Sequence, residues 1–139
     1  MVKNMVEVKR DNGKPLHIYV AGPYTPAGTD MHDAARLAEK NVTAAVRAGI
    51  EVIKRGHYPY IPHLSHFIHL RMSDDESQGN TYWYPFTMAW LSRCDALLYI
   101  APSKGADAEL KWAKENGLKV FLRVEDIPSV PIVNDGLKS

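Results

Sequence analysis

The sequence predicts an α/β domain: a parallel sheet with helices packed on both of its faces. Three observations carry that expectation. Short apolar runs recur at residues 16–21, 57–61, 95–100 and 118–122. Longer segments with helical spacing of small and apolar residues separate them. Gly56 and Gly117 stand where helices would hand over to strands. Strands that alternate with helices pair in parallel, and their crossovers cover both faces of the sheet.

Each element follows from its residues. Leu16-His-Ile-Tyr-Val-Ala21 is short, β-branched and aromatic; Asn12-Gly13 and Pro15 precede it and Gly22-Pro23 ends it. Residues 24–30 form a loop rich in Gly, Pro and Thr, and Thr29 or Asp30 offers an N-cap with Asp33 in the first turn. The helix that follows puts Ala34, Ala38, Val42, Ala45, Gly49, Val52 and Ile53 on one stripe. Residues 57–61 make a second strand, kept short by Pro59 and Pro62. Residues 62–70 read as a loop or short helix, and the polar stretch 71–80 as an exposed, mobile loop. Residues 81–93 read as an aromatic-rich helix in which Pro85 is tolerable only near the start. Residues 95–100 are the third strand, 105–116 a helix ended by Gly117, and 118–122 the fourth strand. The chain is expected to be one domain over 1–139, with an N-terminal extension at 1–15 and an irregular tail at 123–139.

Composition excludes some classes. The 17 basic and 16 acidic residues nearly cancel, which argues against bulk binding to nucleic acid or a membrane surface. No apolar run approaches the ~20 residues needed to span a bilayer, and the first ten residues lack a secretory apolar core. A single cysteine, Cys94, rules out an internal disulfide and fits a cytoplasmic protein. Its expected role is an inert thiol at a helix–strand junction.

In a parallel sheet, ligands bind beyond the carboxyl ends of the strands, at the point where the strand order reverses. Gly22-Pro23-Tyr24-Thr25, Pro62-His63-Leu64 and Ser103-Lys104-Gly105 are expected there. The most informative stretch is Ala101-Pro-Ser-Lys-Gly-Ala-Asp-Ala-Glu109. It places a Ser/Gly turn and then a carboxylate between a strand and a helix, as an anion or sugar site would. Glu109 is expected in the first helical turn, where the macrodipole favours the ionised form that a nucleophile needs. The plainer reading of Glu109 is dipole complementation, and that of Ser103 is an ordinary N-cap. Asp95 could share duties with Glu109 or simply serve the turn before its strand. His63, His66 and His69 recur every three residues, yet acidic and cysteine ligands are not evident beside them, so no metal is expected. His63 is the histidine expected to line the pocket, and the other two read as surface or packing residues. Tyr82, Trp83, Tyr84, Phe86 and Trp90 offer stacking for a base, or else core or subunit-interface packing.

Ile18-Tyr-Val-Ala-Gly-Pro-Tyr24, Asp95-Ala-Leu-Leu and Ser103-Lys-Gly-Ala-Asp-Ala-Glu109 together resemble the nucleoside 2-deoxyribosyltransferase superfamily, over residues 16–122. The resemblance implies a flavodoxin-like or Rossmann-like three-layer sandwich that forms a homodimer or higher homo-oligomer, with sites completed by a neighbouring copy. It implies no cofactor and a small-molecule nucleoside or nucleotide as partner. Glu109 would attack the anomeric carbon to form a glycosyl-enzyme intermediate. Asp95 would position the glutamate or the sugar, or assist protonation of the base. Gly22, Pro23 and Tyr24 would lie against the nucleoside. Residues near Asn134 would reach a neighbour's site.

There are departures from that pattern. The superfamily's transferases carry an acid six positions before the glutamate, where this chain has Ser103. A serine there is similar to the nucleoside 5′-monophosphate N-glycosidase branch, in which it helps hold the phosphate and the bond is hydrolysed. The loop at 22–28 is poorer in Gly, Ser and Arg than that branch's, and Pro62-His-Leu-Ser-His66 resembles a smaller subgroup. Three readings therefore stand side by side: a glycosyl-transferring enzyme, a glycosidic hydrolase, and a non-catalytic module for nucleotides or sugar phosphates. A flavin-binding protein of the same fold is a further alternative.

Overall fold

The computed structural model describes residues 13–24, 31–72, 76 and 80–132, with only the backbone for 31–35 and 80–83. Its elements run β1 (His17–Ala21), α1 (Met31–Lys54), β2 (Tyr58–Tyr60), a 3-10 turn (Pro62–Leu64), α2 (Ser65–His69), α3 (Asn80–Leu91), β3 (Ala96–Tyr99), α4 (Lys104–Glu115), β4 (Lys119–Phe121) and a second 3-10 turn (Val124–Asp126). The strands form one parallel sheet in the order β2-β1-β3-β4. The fold is the expected flavodoxin/Rossmann-like three-layer arrangement. The chain steps outward from β1 to β2 on one side and from β3 to β4 on the other. The order thus reverses between β1 and β3, and the crevice at their carboxyl ends is the natural ligand position.

Alternation along each strand sorts the core into two layers. Ile18, Ala96 and Leu98 face one side and pack with Val52 of α1 and with Ile127. Tyr19, Ala21 and Leu97 face the other, against Leu91 of α3 and Ala106 and Ala113 of α4. Both faces are covered, so β1 reads as an almost unbroken apolar run. The small residues Ala106 and Ala113 are buried and let α4 sit close to the sheet. That closeness lets a side chain between them on α4 reach a side chain of β1.

The α1 stripe is largely as expected: Ala38, Val42, Ala45, Gly49 and Val52 are buried. Ile53 is not, being 53% exposed. It is adjacent to Val52, about 100° further round the helix, and Val52 takes the sheet-facing position. At Gly49 an added Cβ would lie 2.3 Å from Ile61 Cδ1, so the missing side chain is what admits Ile61. The N-cap candidates Thr29 and Asp30, the side chain of Asp33 and most of the 71–80 loop lie outside the described residues.

Two expectations need correction. Pro85 sits in the second turn of α3, not at its start. It costs one backbone hydrogen bond there, and the helix continues to Leu91. The tail is not wholly irregular. Ile127 and Val130 are buried, and the Val130 N–H donates to the Arg55 carbonyl at 2.8 Å. His57 fastens the same segment. Its Nδ1 accepts from the Leu16 N–H at 3.0 Å, which leaves Nε2 to donate to the Pro128 carbonyl at 2.6 Å. Among the described residues no helix is long and apolar enough to cross a membrane.

Candidate active site

Glu109 lies in the second turn of α4, and Asp107 is the acid of the first turn. The macrodipole is largely spent by the second turn, so it does not set the charge of Glu109. Burial does. Glu109 is partly buried above the sheet, and desolvation pushes its carboxyl from 4.5 up to about 7. The Tyr19 hydroxyl opposes that rise by donating to Oε2 at 2.6 Å. The expectation of a firmly ionised carboxylate is thereby replaced by one poised between its two forms near neutrality. Tyr19 is itself pushed upward, by its own burial and then by the adjacent Glu109 charge, so it stays a proton donor.

An aromatic wall extends from this pair. The Tyr19 and Tyr60 rings are 5.6 Å apart, and Tyr60 stacks on Trp90 of α3 at 5.2 Å and 17°. Burial, and after it the neighbouring Cys94 and Glu109, hold the Tyr60 hydroxyl above its ordinary range. Trp90 is half-exposed, so the stack runs from the buried carboxylate outward to solvent. Tyr84 and Phe86 are exposed, and the side chains of Tyr82 and Trp83 lie outside the described residues.

At the start of α4, Ser103 is the N-cap, its Oγ accepting from the Ala106 N–H at 3.0 Å. Its hydroxyl proton is still available to an acceptor. A Cβ at Gly105 would meet nothing within 4 Å, so the helix mouth is open there. Asp95 is elsewhere. It precedes β3 at the amino edge of the sheet, where its Oδ2 accepts from the His17 N–H at 2.9 Å and lies 3.5 Å from His17 Nδ1. Its carboxylate serves that edge and does not meet Glu109. In a parallel sheet the residue before a strand and the turn after it lie at opposite ends, so the expected carboxylate pair does not form.

Gly22, Pro23, Tyr24 and His63 do come together at the carboxyl edge of β1. His63 is buried, and its Nε2 donates to the Gly22 and Pro23 carbonyls at 3.0 and 3.1 Å. Burial pushes this imidazole below its ordinary range, and the two carbonyls oppose that shift. Its Nδ1 is buried without a protein partner among the described residues. At Gly22 an added Cβ would fall 2.5 Å from the Ile100 side chain, so the missing side chain is what admits Ile100 against the end of β1. His66 is no surface residue: it is 5% exposed and lies between Tyr24 and Glu39, at 2.7 and 2.6 Å.

Sequence reasoning therefore missed Tyr19, Tyr60, His66 and Glu39. The one signal for Tyr19 was a hydroxyl inside an otherwise apolar strand, which obliges a buried partner. Among the described residues no group of His, Cys, Asp and Glu is arranged to hold a metal ion. Cys94 is partly buried, its thiol pushed up to about 11 by burial and by Asp95, which suits an unreactive residue.

No curated protein matches the sequence. A family model does match, over residues 16–123, the span that holds every strand, the Tyr19–Glu109 pair and the Tyr24–His66–Glu39 chain. By that match the chain belongs to the family described as Domain of unknown function (DUF7768).

Proposed function

We propose that this protein cleaves the N-glycosidic bond of a nucleoside or nucleotide, with Glu109 as the nucleophile. The observation that carries the reading is the Tyr19–Glu109 pair. It is a partly buried carboxylate, held at 2.6 Å by a phenol and flanked by the Tyr60–Trp90 stack. A carboxylate that attacks an anomeric carbon must be fixed, partly desolvated and ionisable near neutral pH. A stack of aromatic rings leading from it is suited to the flat face of a base. In the first half-reaction a Glu109 oxygen bonds to C1′ as the C1′–N bond breaks. In the second, water or another base takes the sugar and frees the carboxylate.

Chromatography of the protein with a panel of nucleosides and 5′-monophosphates, with and without a second free base, tests this reading. Base release establishes cleavage, and a new nucleoside in the presence of the acceptor establishes transfer. Folded protein that releases no base from any of them contradicts the proposal.

A second reading, hydrolysis of a 5′-monophosphate, is favoured by the open mouth of α4. Ser103 keeps a donor there and Gly105 leaves room for a phosphate at the helix N-terminus. Faster release from monophosphates than from nucleosides supports it, and equal rates oppose it.

The titration of Glu109 gives a pH prediction. Only the ionised carboxylate attacks, so kcat/KM rises with pH through about 7. Tyr19→Phe removes the hydrogen bond that holds the carboxyl down, and the ascending limb moves to higher pH. The loss of activity is then several-fold larger at pH 6 than at pH 9. A pH–rate profile of the variant parallel to the wild type contradicts the assignment.

Self-association is part of the same proposal. The outer faces of α2 and α3 expose Phe67, Ile68 and Leu70 and Tyr84, Phe86 and Trp90, and each carries an open groove of about 400–500 Å³. Glu109 lines neither groove. Exposed apolar side chains around grooves of this kind are what a second copy of the chain would cover. Sedimentation of wild type and Phe86→Lys should show a dimer or larger species lost in the variant, and a monomeric wild type contradicts it.

A further inference from the structure

A second chain of polar side chains lies at the carboxyl edge of β1. The Tyr24 hydroxyl is 2.7 Å from His66 Nδ1, and His66 Nε2 is 2.6 Å from Glu39 Oε2. The two rings meet edge-on at 5.6 Å and 67°. Asn41 of α1 donates to the Tyr24 carbonyl at 3.0 Å and fixes the loop that carries the phenol. The middle of this chain is buried and its far end is open: His66 has 7% of its side chain exposed and Glu39 61%.

The chemistry of the order phenol, imidazole, carboxylate is specific. An ionised carboxylate only accepts, so Nε2 carries a proton toward Glu39. Nδ1 is then free either to accept the Tyr24 proton or, in the imidazolium, to donate to the Tyr24 oxygen. In the second arrangement the phenolic proton is released for another acceptor. A hydroxyl backed by an imidazole that a carboxylate orients is the arrangement that moves protons in hydrolytic sites. Glu39 satisfies the outer nitrogen of the buried imidazole, and its side chain is exposed to solvent. That carboxylate connects the buried imidazole to solvent, from which the chain can be recharged.

Position adds to chemistry. Tyr24 follows β1 at the β1–β3 reversal where a ligand would enter. Its hydroxyl is on the side of α1 and α2 while Glu109 stands on the side of α4, so a nucleoside held between the two would lie across that sheet edge. The neighbouring His63 ring, 6.3 Å from Tyr24, makes an edge contact with it, whereas His66 Nδ1 stands within hydrogen-bond reach of the phenol.

We propose that Tyr24, His66 and Glu39 form a proton relay that protonates the departing base, with Tyr24 the catalytic acid and the other two positioning residues. This rests on the reading of Glu109 as glycosidic nucleophile. In the first half-reaction the C1′–N bond breaks, its electron pair stays on the base nitrogen, and a Glu109 oxygen bonds to C1′. The base nitrogen takes the phenolic proton of Tyr24, and the Tyr24 oxygen takes the Nδ1 proton of the His66 imidazolium. His66 is left neutral against ionised Glu39. In the second half-reaction the attacking water or base loses a proton to Tyr24, which returns one to His66 Nδ1, as the Glu109–C1′ bond breaks.

The dependence on leaving group tests the relay. A nucleobase needs a proton to depart, whereas p-nitrophenolate does not. The first-turnover rate of base or nitrophenol release, which reports the first half-reaction alone, is measured on a nucleoside that the wild type cleaves and on the p-nitrophenyl glycoside of the same sugar. Wild type, Tyr24→Phe, His66→Gln, Glu39→Gln and Glu109→Gln are compared. Tyr24→Phe is expected to lower the first-turnover rate on the nucleoside by about 10²–10⁴-fold and to change the first-turnover release of nitrophenol by less than about threefold. His66→Gln and Glu39→Gln should show the same selectivity with smaller losses, and Glu109→Gln should lose both activities. The nitrophenyl rate also reports that the Tyr24, His66 and Glu39 variants are folded, and circular dichroism reports it for Glu109→Gln. Equal losses on the two substrates, or no loss on the nucleoside, overturn the relay while the Glu109 reading stands. A wild type that releases neither base nor nitrophenol overturns both.

Discussion

Glu109→Gln is expected to lower kcat/KM by at least ~10³-fold while making the folded protein more stable at alkaline pH. The two effects have one origin. Burial raises the Glu109 carboxyl from 4.5 to about 7 on folding, so between those values the folded state holds a proton that the unfolded chain has released. The unfolded state binds fewer protons there, and stability falls as pH rises through that window. Above about pH 7 both states are ionised and the full penalty, on the order of 2 kcal/mol after allowing for partial exposure, is in place. Glutamine keeps the shape and carries no charge, so the penalty disappears. Urea unfolding at pH 5 and pH 8 measures it: wild type and variant are similar at pH 5, and the variant gains at pH 8. A variant that is destabilised equally at both values shows that Glu109 is held as a structural partner of Tyr19 instead.

The largest effect on stability is expected at Gly56. Its φ of +92° lies in the left-handed region, and an added Cβ would stand 2.3 Å from the Val130 carbonyl oxygen. That oxygen belongs to the backbone, and the N–H of the same residue is tied to Arg55, so it cannot simply move aside. Gly56→Ala combines the strain of a side chain at positive φ with a steric clash, together about 2–4 kcal/mol. Tm should fall by roughly 10 °C, and the Val130 amide should exchange faster. Residual activity per folded molecule should persist, because Tyr19, which holds Glu109, packs in the core layer opposite that of Val52 and Ile127. A wild-type Tm for Gly56→Ala contradicts this account of the turn.

The sheet was legible because its strands are buried on both faces and its helices carry small residues at close-packing positions. Local pattern was enough to find them. Glu109 was legible for a related reason, as a carboxylate following a strand and a Ser-Gly turn. Its electrostatics were not. Whether it feels the dipole or the sheet depends on where α4 begins and on what β1 places beneath it. Tyr19, 90 positions away in sequence, is invisible to any local window. Asp95 shows the converse: close to Glu109 in sequence and plausible as its partner, it is kept from it by the direction of β3. The three-residue recurrence of His63, His66 and His69 suggested a face, but their roles differ by what surrounds them. His63 is held by carbonyls and His66 by a phenol and a carboxylate. Val130 and Ile127 were missed because a segment that packs through two isolated side chains has no period to read.

The central claim is the covalent one, and mass spectrometry tests it most directly. Protein quenched in acid during turnover of a cleaved nucleoside should carry the mass of one sugar residue, and fragmentation should place it on Glu109. The adduct should be absent in Glu109→Gln. Base release by the wild type with no sugar on Glu109, or with an adduct that persists in Glu109→Gln, would contradict the claim.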